Sequence, residues 1–346
     1  MYNSAIQLKM FHEIFLGDPF FDSLRNSYYG FEGWFQKKSF QGEQAYVLEE
    51  CGIQGFLYLK EEIGKDLEVV PALPEFRKLK VGTFKVNPHG TKLGERFIKI
   101  IFDQMLARDI TFSYLTVYSE HQGLIGLLQE YGFYYWGKKG TEDVYVKDFT
   151  KTTGDAKKDY PLIDLNGNKK FLLSIKPEFH TNFFPDSRLC NEKNHYIEDL
   201  SHTNCIEKIF LSSAWDITKF SYRDIAIIYR TGDGVSPARF SAVATSFCTL
   251  LEVKPINSFF NIQEFLHFCG GKTIFNENEL VKIWQNREYR YAVRLLYNLA
   301  FPRRITRGVL LDQVGISGGA IYALELTDEQ VNKITNLSGS PKSIFK

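Results

Sequence analysis

The spacing of hydrophobic and polar positions changes along the chain, and each change marks an element. Gln44 to Leu48 and Ile53 to Lys60 are short apolar runs on either side of Cys51-Gly52, the pattern of a hairpin. Leu79 to Val86 reads as another strand. From Glu95 to Leu106 the period lengthens: Phe97, Ile100, Ile101 and Met105 recur every three to four residues and share one helix face. Ile110 to Tyr118 is rich in Thr, Tyr, Phe and Val and predicts a strand. Ser119 to Glu130 predicts a helix with Leu124, Leu127 and Leu128 inward, and Tyr134 to Trp136 and Val144 to Lys147 predict two short strands. This alternation predicts a mixed α/β domain over 1–150, a sheet flanked by helices.

The second half predicts more strand. Asp224 to Tyr229, Ser241 to Val253 and Tyr291 to Phe301 are the clear runs, with helices over Phe260 to Phe268, Glu277 to Trp284 and Thr327 to Ile334. That mix suits a small, partly closed β-barrel decorated with helices. Between the halves, Lys151 to Lys158 is polar and without period. Tyr160 to Pro185 is broken by Asn166-Gly167, Pro177 and Pro185. The expected division is 1–150, a connecting segment 151–185 with some strand, and 186–346, with no internal repeat.

Length agrees with two domains at 346 residues. The net charge of +1 conceals an asymmetry: residues 1–150 hold 17 Lys+Arg against 20 Asp+Glu, and residues 151–346 hold 25 against 21. Lys282, Arg287, Arg290, Arg294, Arg303, Arg304 and Arg307 face one acid, Glu288, in the densest basic stretch. It reads either as a solvated face or as a surface for an anionic partner. Aromatics reach 15%, enough for the cores and for rings that stack on ligands. No apolar run approaches the roughly 20 residues of a membrane span. Met1 to Phe15 lacks the pattern of a signal peptide. Five cysteines without C-x-x-C read as reduced thiols of a cytoplasmic protein. Cys190, His195, His202 and Cys205 are zinc-ligand types, but their spacing fits no standard knuckle, and Asn204-x-x-Glu207 looks like a helix-capping pair. No metal is expected.

The stretch that carries chemistry is Leu79 to Phe133. A strand ends at Val86, and Asn87-Pro88-His89-Gly90-Thr91-Lys92-Leu93-Gly94 leads into the helix at Glu95. Gly90 and Gly94 permit a close backbone approach. A helix start presents unpaired N–H groups and a partial positive charge, which suits a pyrophosphate. Lys92 and His89 add charge there.

The order strand, Gly loop, helix, strand, helix and then Tyr131-Gly132-Phe133 resembles the GNAT superfamily of acyl-CoA-dependent N-acyltransferases. Val81 to Val86, His89 to Gly94, Leu115 to Val117 and Gly132-Phe133 carry the resemblance, which covers most of residues 1–150. It implies that Phe84, Lys85 and Val86 pair with a pantetheine arm. It also implies that the amides of His89, Gly90, Thr91, Lys92, Leu93, Gly94 and Glu95 hold a pyrophosphate, with acetyl-CoA as the acyl donor. Two positions depart from the family. The loop reads His89-x-x-Lys92-x-Gly94 where Arg/Gln-x-x-Gly-x-Gly/Ala is usual. The position of the usual Tyr acid, four residues before Gly132, is Leu128, which cannot donate a proton. Seven residues earlier, where Asn is frequent, stands His121. His121 and Tyr118, at the strand-to-helix junction, are the catalytic candidates; His121 reads equally as a surface residue of a first helical turn.

The second half resembles a PUA-like domain of the ASCH/EVE type through Phe220 to Arg230, Ala242 to Val253 and Ile321 to Ile334, over about 195–335. The resemblance implies recognition of RNA or of a modified base, with Tyr229, Arg230, Trp284, Arg290 and Arg294 as candidate contacts; each reads otherwise as a packed or solvated residue. Three functions are in view. The first is an acetyl-CoA-dependent N-acyltransferase whose acceptor amine is linked to RNA or tRNA. The second is a protein or small-molecule N-acetyltransferase. The third is a catalytically degenerate CoA- or RNA-binding regulator of the toxin–antitoxin or defence type. The acceptor and the oligomeric state are left open by the sequence.

Overall fold

The computed structural model describes residues 6–189 and 199–346. Contacts divide the chain into two units, one running to Lys151 and taking in Asp199, the other beginning at Thr152. Both are mixed α/β.

The first unit is an eight-stranded sheet. Its strands are β1 (Gln7–Met10), β2 (Gln44–Glu49), β3 (Ile53–Glu62), β4 (Val69–Val70), β5 (Lys78–Val86), β6 (Phe112–Val117), β7 (Tyr134–Lys139) and β8 (Glu142–Asp148). Their order across the sheet is β1-β2-β3-β5-β6-β8-β7-β4. Four helices accompany them: α1 (Asp22–Ser27), α2 (Phe31–Phe40), α3 (Leu93–Ala107) and α4 (Gln122–Glu130). β5 and β6 run parallel, so the chain must cross over between them, and α3 is that crossover. Its apolar stripe of Phe97, Ile98, Ile101, Phe102 and Met105 is fully buried. The β2–β3 hairpin turns through Cys51 and Gly52, whose φ values of 51° and 109° are both left-handed. The short helices α1 and α2 and the edge strand β1 lie in sequence too aromatic and too weakly periodic to be read. Phe11, Phe21, Phe35, Phe56 and Tyr58 pack ring on ring beneath them, with Phe11 and Phe35 centroids 4.8 Å apart. Much of the aromatic excess is therefore core.

The second unit is a six-stranded mixed sheet of β9 (Lys170–Ile175), β10 (Glu207–Ser212), β11 (Ile225–Arg230), β12 (Val243–Pro255), β13 (Tyr291–Thr306) and β14 (Ala323–Leu326). The order is β10-β13-β12-β11-β9-β14, with β9 parallel to β11. Two expectations change. The barrel is not closed: among the described residues β10 and β14 are the two ends of the sheet and do not pair. The stretch 151–185 is more than a connector, because its β9 lies inside the sheet between β11 and β14. Its short apolar run, FLLSI, buries four of five side chains, which is what an interior strand requires. The helices Ile262–Cys269 and Glu277–Asn286 cover Ile209 and Leu211 of β10 through Phe265 and Leu280. Asn204 and Glu207 do not cap a helix: Asn204 ends a four-residue helix and Glu207 opens β10.

Candidate active site

The site begins with a fault in a strand. β5 pairs with β6 at Leu79–Ser113, Lys80–Tyr114 and Val81–Leu115, and the pairing then stops. Both strands continue, β5 on β3 to Val86 and β6 on β8 to Val117. At the parting point the β3–β5 register slips: Leu59 faces Val81 while Tyr58 faces Thr83. Gly82 is the extra residue of a β-bulge, which bends a strand and increases its twist. A Cβ on Gly82 would lie 2.6 Å from the Tyr58 ring. The bulge thus sets the strand bearing Thr83 to Val86 away from β6. A cavity of about 890 Å³ occupies the fork. Gly82 is a cavity-shaping residue that the sequence reading overlooks; a glycine inside a strand pattern was the available signal.

Phe84, Lys85 and Val86 line this cavity, as do Thr116 and Val117 of the opposite strand. Strand edges facing a gap present N–H and C=O groups without a neighbouring strand. The loop after β5 contributes Pro88 to the lining, and the first turn of α4 contributes Gln122 and Gly123. None of the residues from His89 to Glu95 lines the cavity. Gly90 adopts a φ of 85° and leads to Lys92, the residue before α3, at 57°. The His89 ring donates from Nδ1 to the Asn87 carbonyl at 2.7 Å and lies 2.6 Å from Asp199 through Nε2, with Thr91 Oγ1 at 3.0 Å. Lys92 Nζ reaches Glu95 at 3.3 Å, and the Glu95 carboxylate also accepts from the Tyr131 hydroxyl at 2.7 Å. Both cations of the loop therefore already have a carboxylate partner. Gly94 has a packing task as well, since a Cβ there would lie 2.7 Å from Leu127 Cδ2 of α4.

His121 stands at the N-cap of α4 and lines the cavity. Tyr118 is not in the lining, but its ring stacks on Tyr28, which is, at 5.1 Å and 30°. Tyr28 comes from the turn between α1 and α2. Burial first, then electrostatic repulsion from Glu142, the neighbouring Tyr118 phenol and Glu120, pushes its hydroxyl up to about 12. Glu120 and Glu142 also line the cavity. Leu128 is fully buried. Lys80 lies at the base of the fork, its Nζ 5.6 Å from the Tyr114 ring centroid, and burial lowers its pKa. Lys85 Nζ donates to the Phe20 carbonyl and to Ser23 Oγ, and burial lowers its pKa too.

The five candidates of the second unit do not come together. Tyr229 and Arg230 are buried on β11 opposite Ala244 and Val243, and Arg307 donates to the Tyr229 hydroxyl at 3.1 Å. Arg294 sits opposite Glu252, eight or nine residues along β12, which is roughly 30 Å of strand. It is paired with Glu207 at 3.3 Å and Glu252 at 3.5 Å. Arg290 stacks on Trp215 at 4.6 Å, and Trp284 packs on Phe265 beneath Arg287. Of the zinc-type residues, Cys190 and His195 lie outside the described residues. Cys205 is buried, and the His202 pKa is lowered to about 4 by burial and then by Lys208. Among the described residues no three His, Cys, Asp or Glu side chains are grouped to hold a metal, and no helix is long and apolar enough to cross a membrane.

No protein-family model matches the chain, and no curated protein matches it. Among solved structures it is similar to ASCH from Zymomonas mobilis, at 14% identity over 49% of this chain and 95% of that one, with a TM-score of 0.32. It is similar to a GNAT-family acetyltransferase from Listeria monocytogenes 4b F2365, at 17% identity over 35% of this chain and 71% of that one, with a TM-score of 0.27. It is also similar to the PaiA N-acetyltransferase from Thermoplasma acidophilum in complex with coenzyme A, at 15% identity over 42% of this chain and 99% of that one, with a TM-score of 0.30. What the first unit can do follows from its own cleft.

Proposed function

We propose that the first unit is an acyl-CoA-dependent N-acyltransferase with acetyl-CoA as donor. The fork between β5 and β6 supports this reading. A pantetheine arm is a chain of amides that needs hydrogen-bond partners along its length, and two strand edges facing a gap supply them. The cavity has the size of a small-ligand site. In this reading Phe84, Lys85 and Val86 face the arm. The amides from His89 to Gly94 receive the pyrophosphate at the start of α3, where leading N–H groups favour an anion; the Glu95 amide already donates to the Lys92 carbonyl at 2.9 Å. The Lys92–Glu95 and His89–Asp199 pairs mean that the backbone, more than side-chain charge, does the holding. His121 is the base that takes the amine proton. Leu128 has no proton to give, so the departing thiolate draws one from solvent or from Tyr28, whose hydroxyl stays protonated at neutral pH. Tyr118 positions that ring by stacking.

An acceptor linked to RNA has less behind it, because the residues expected to bind RNA are buried or engaged within the second unit. A small-molecule acceptor is the better-supported form of the reading. The test is a calorimetric titration of the full chain with acetyl-CoA, alongside Thr116→Trp, which fills the fork from β6. Saturable binding in the wild type is expected, weakened at least about tenfold in the variant, or about 1.4 kcal/mol. Circular dichroism checks that the variant is folded. Thiol release is then followed with small amines and with total RNA as separate acceptors. Absence of acetyl-CoA binding to the wild type would sink the reading and favour a degenerate fold.

A further inference from the structure

We propose that the acceptor of this cleft is an amine bearing a second positive charge, a diamine in its simplest form; the inference rests on the acyltransferase reading above. Two carboxylates line the cavity, with His121 next in the chain to one of them. Glu120 follows β6 and Glu142 opens β8, and both line the cavity. Val117 pairs with Asp143, so the residues just after β6 lie beside those at the start of β8, and the two carboxylates reach one rim from different elements. Tyr28 closes that rim with its ring on Tyr118. Burial raises the Tyr28 hydroxyl most, and the charges of Glu142 and Glu120 add to it, so one phenol lies within electrostatic reach of two carboxylates. Among the described residues neither carboxylate is in an ion pair. The lysines of the cavity are occupied elsewhere, Lys85 by Phe20 and Ser23 and Lys80 at the base of the fork.

Two carboxylates beside stacked phenols attract a cation. The phosphates of the donor are anionic and are repelled from this rim, which leaves it to the acceptor. The reaction then determines where the acceptor's charge sits. The attacking nitrogen must be neutral: its lone pair forms the C–N bond to the acyl carbon while the C–S bond breaks. The nitrogen loses a proton to the base, and the departing thiolate gains one. A simple monoamine in its reactive form has no charge left for the carboxylates to hold. The charge they hold therefore belongs to a second group on the same molecule.

The experiment uses the full chain with acetyl-CoA and follows thiol release with 1,4-diaminobutane and with butylamine, which have the same carbon skeleton. A kcat/KM at least about tenfold higher for the diamine is expected, which is about 1.4 kcal/mol. In the Glu120→Gln, Glu142→Gln double variant the ratio should fall toward one through a higher KM for the diamine. The amide is isosteric with the carboxylate, and both residues sit at the cavity rim, so the variant tests charge and not packing. Equal rates in the wild type, or a ratio that survives the double substitution, would overturn the inference. So would turnover confined to amines that carry a carboxylate, or acetyl-CoA binding with no diamine turnover; the donor site would stand in both cases. Loss of acetyl-CoA binding itself removes the acyltransferase reading and this inference together.

Discussion

His89 holds its proton between two acceptors. Nδ1–H points at the Asn87 carbonyl and Nε2–H at the Asp199 carboxylate, so both ring nitrogens donate, as only the imidazolium can. Burial lowers the pKa of the ring, but the Asp199 and Asn87 bonds outweigh it and the net shift is upward. Since the folded value lies above the unfolded one of about 6.5, the stabilisation is complete below the unfolded value and is lost as pH rises through the folded one. Asp199→Asn should therefore lower the His89 pKa measured by NMR titration. It should also destabilise the fold below pH about 6.5 and do so less and less above it. An unchanged His89 titration would refute the pairing. That His89 belongs to the loop before α3 was legible in the sequence. Its partner, 110 positions away, was not, because spacing carries no information on contacts so remote.

At the scale of elements, α3 and α4 meet where Gly94 faces Leu127. The loop motif marks Gly94 as a residue for ligand approach, yet its missing Cβ is needed by the neighbouring helix. Gly94→Val should destabilise the chain by about 1–3 kcal/mol through overpacking. Gly94→Val with Leu127→Ala should recover part of that in urea unfolding; a double variant no better than the single one would contradict the contact. The strands β5 and β6 were legible as runs, and so was the crossover helix between them. Their parting was not, because it depends on a one-residue slip against a third strand, β3, that periodicity cannot register.

The second unit shows how far charge is consumed internally. Glu207 is buried, and Lys157, Lys272 and Arg294 surround it at 3.2, 2.6 and 3.3 Å. Burial raises its pKa, but the three cations outweigh this and hold it below the usual carboxylate range. Its stabilisation is present above the unfolded value of about 4.3 and is lost as pH falls through the folded one. Glu207→Gln should cost about 1–3 kcal/mol at neutral pH, since the three cations remain partly solvated, and progressively less in acid. A penalty that stays constant with pH would rule out the charge as its source. The basic stretch of the sequence is thus partly a set of internal partners.

The sequence by itself determined the mixed α/β character of both halves, most long strands and helices, and the loop into α3, because these depend on the local period of apolar residues and on turn chemistry. Tertiary structure alone decided that the second sheet stays open and that residues 151–185 supply one of its interior strands. It also decided that a bulge at Gly82 opens the fork and that Tyr28, Glu120 and Glu142 share its rim, with Tyr118 stacked behind Tyr28. Each of these is a relation between segments far apart in the chain, set by which surfaces can be buried together.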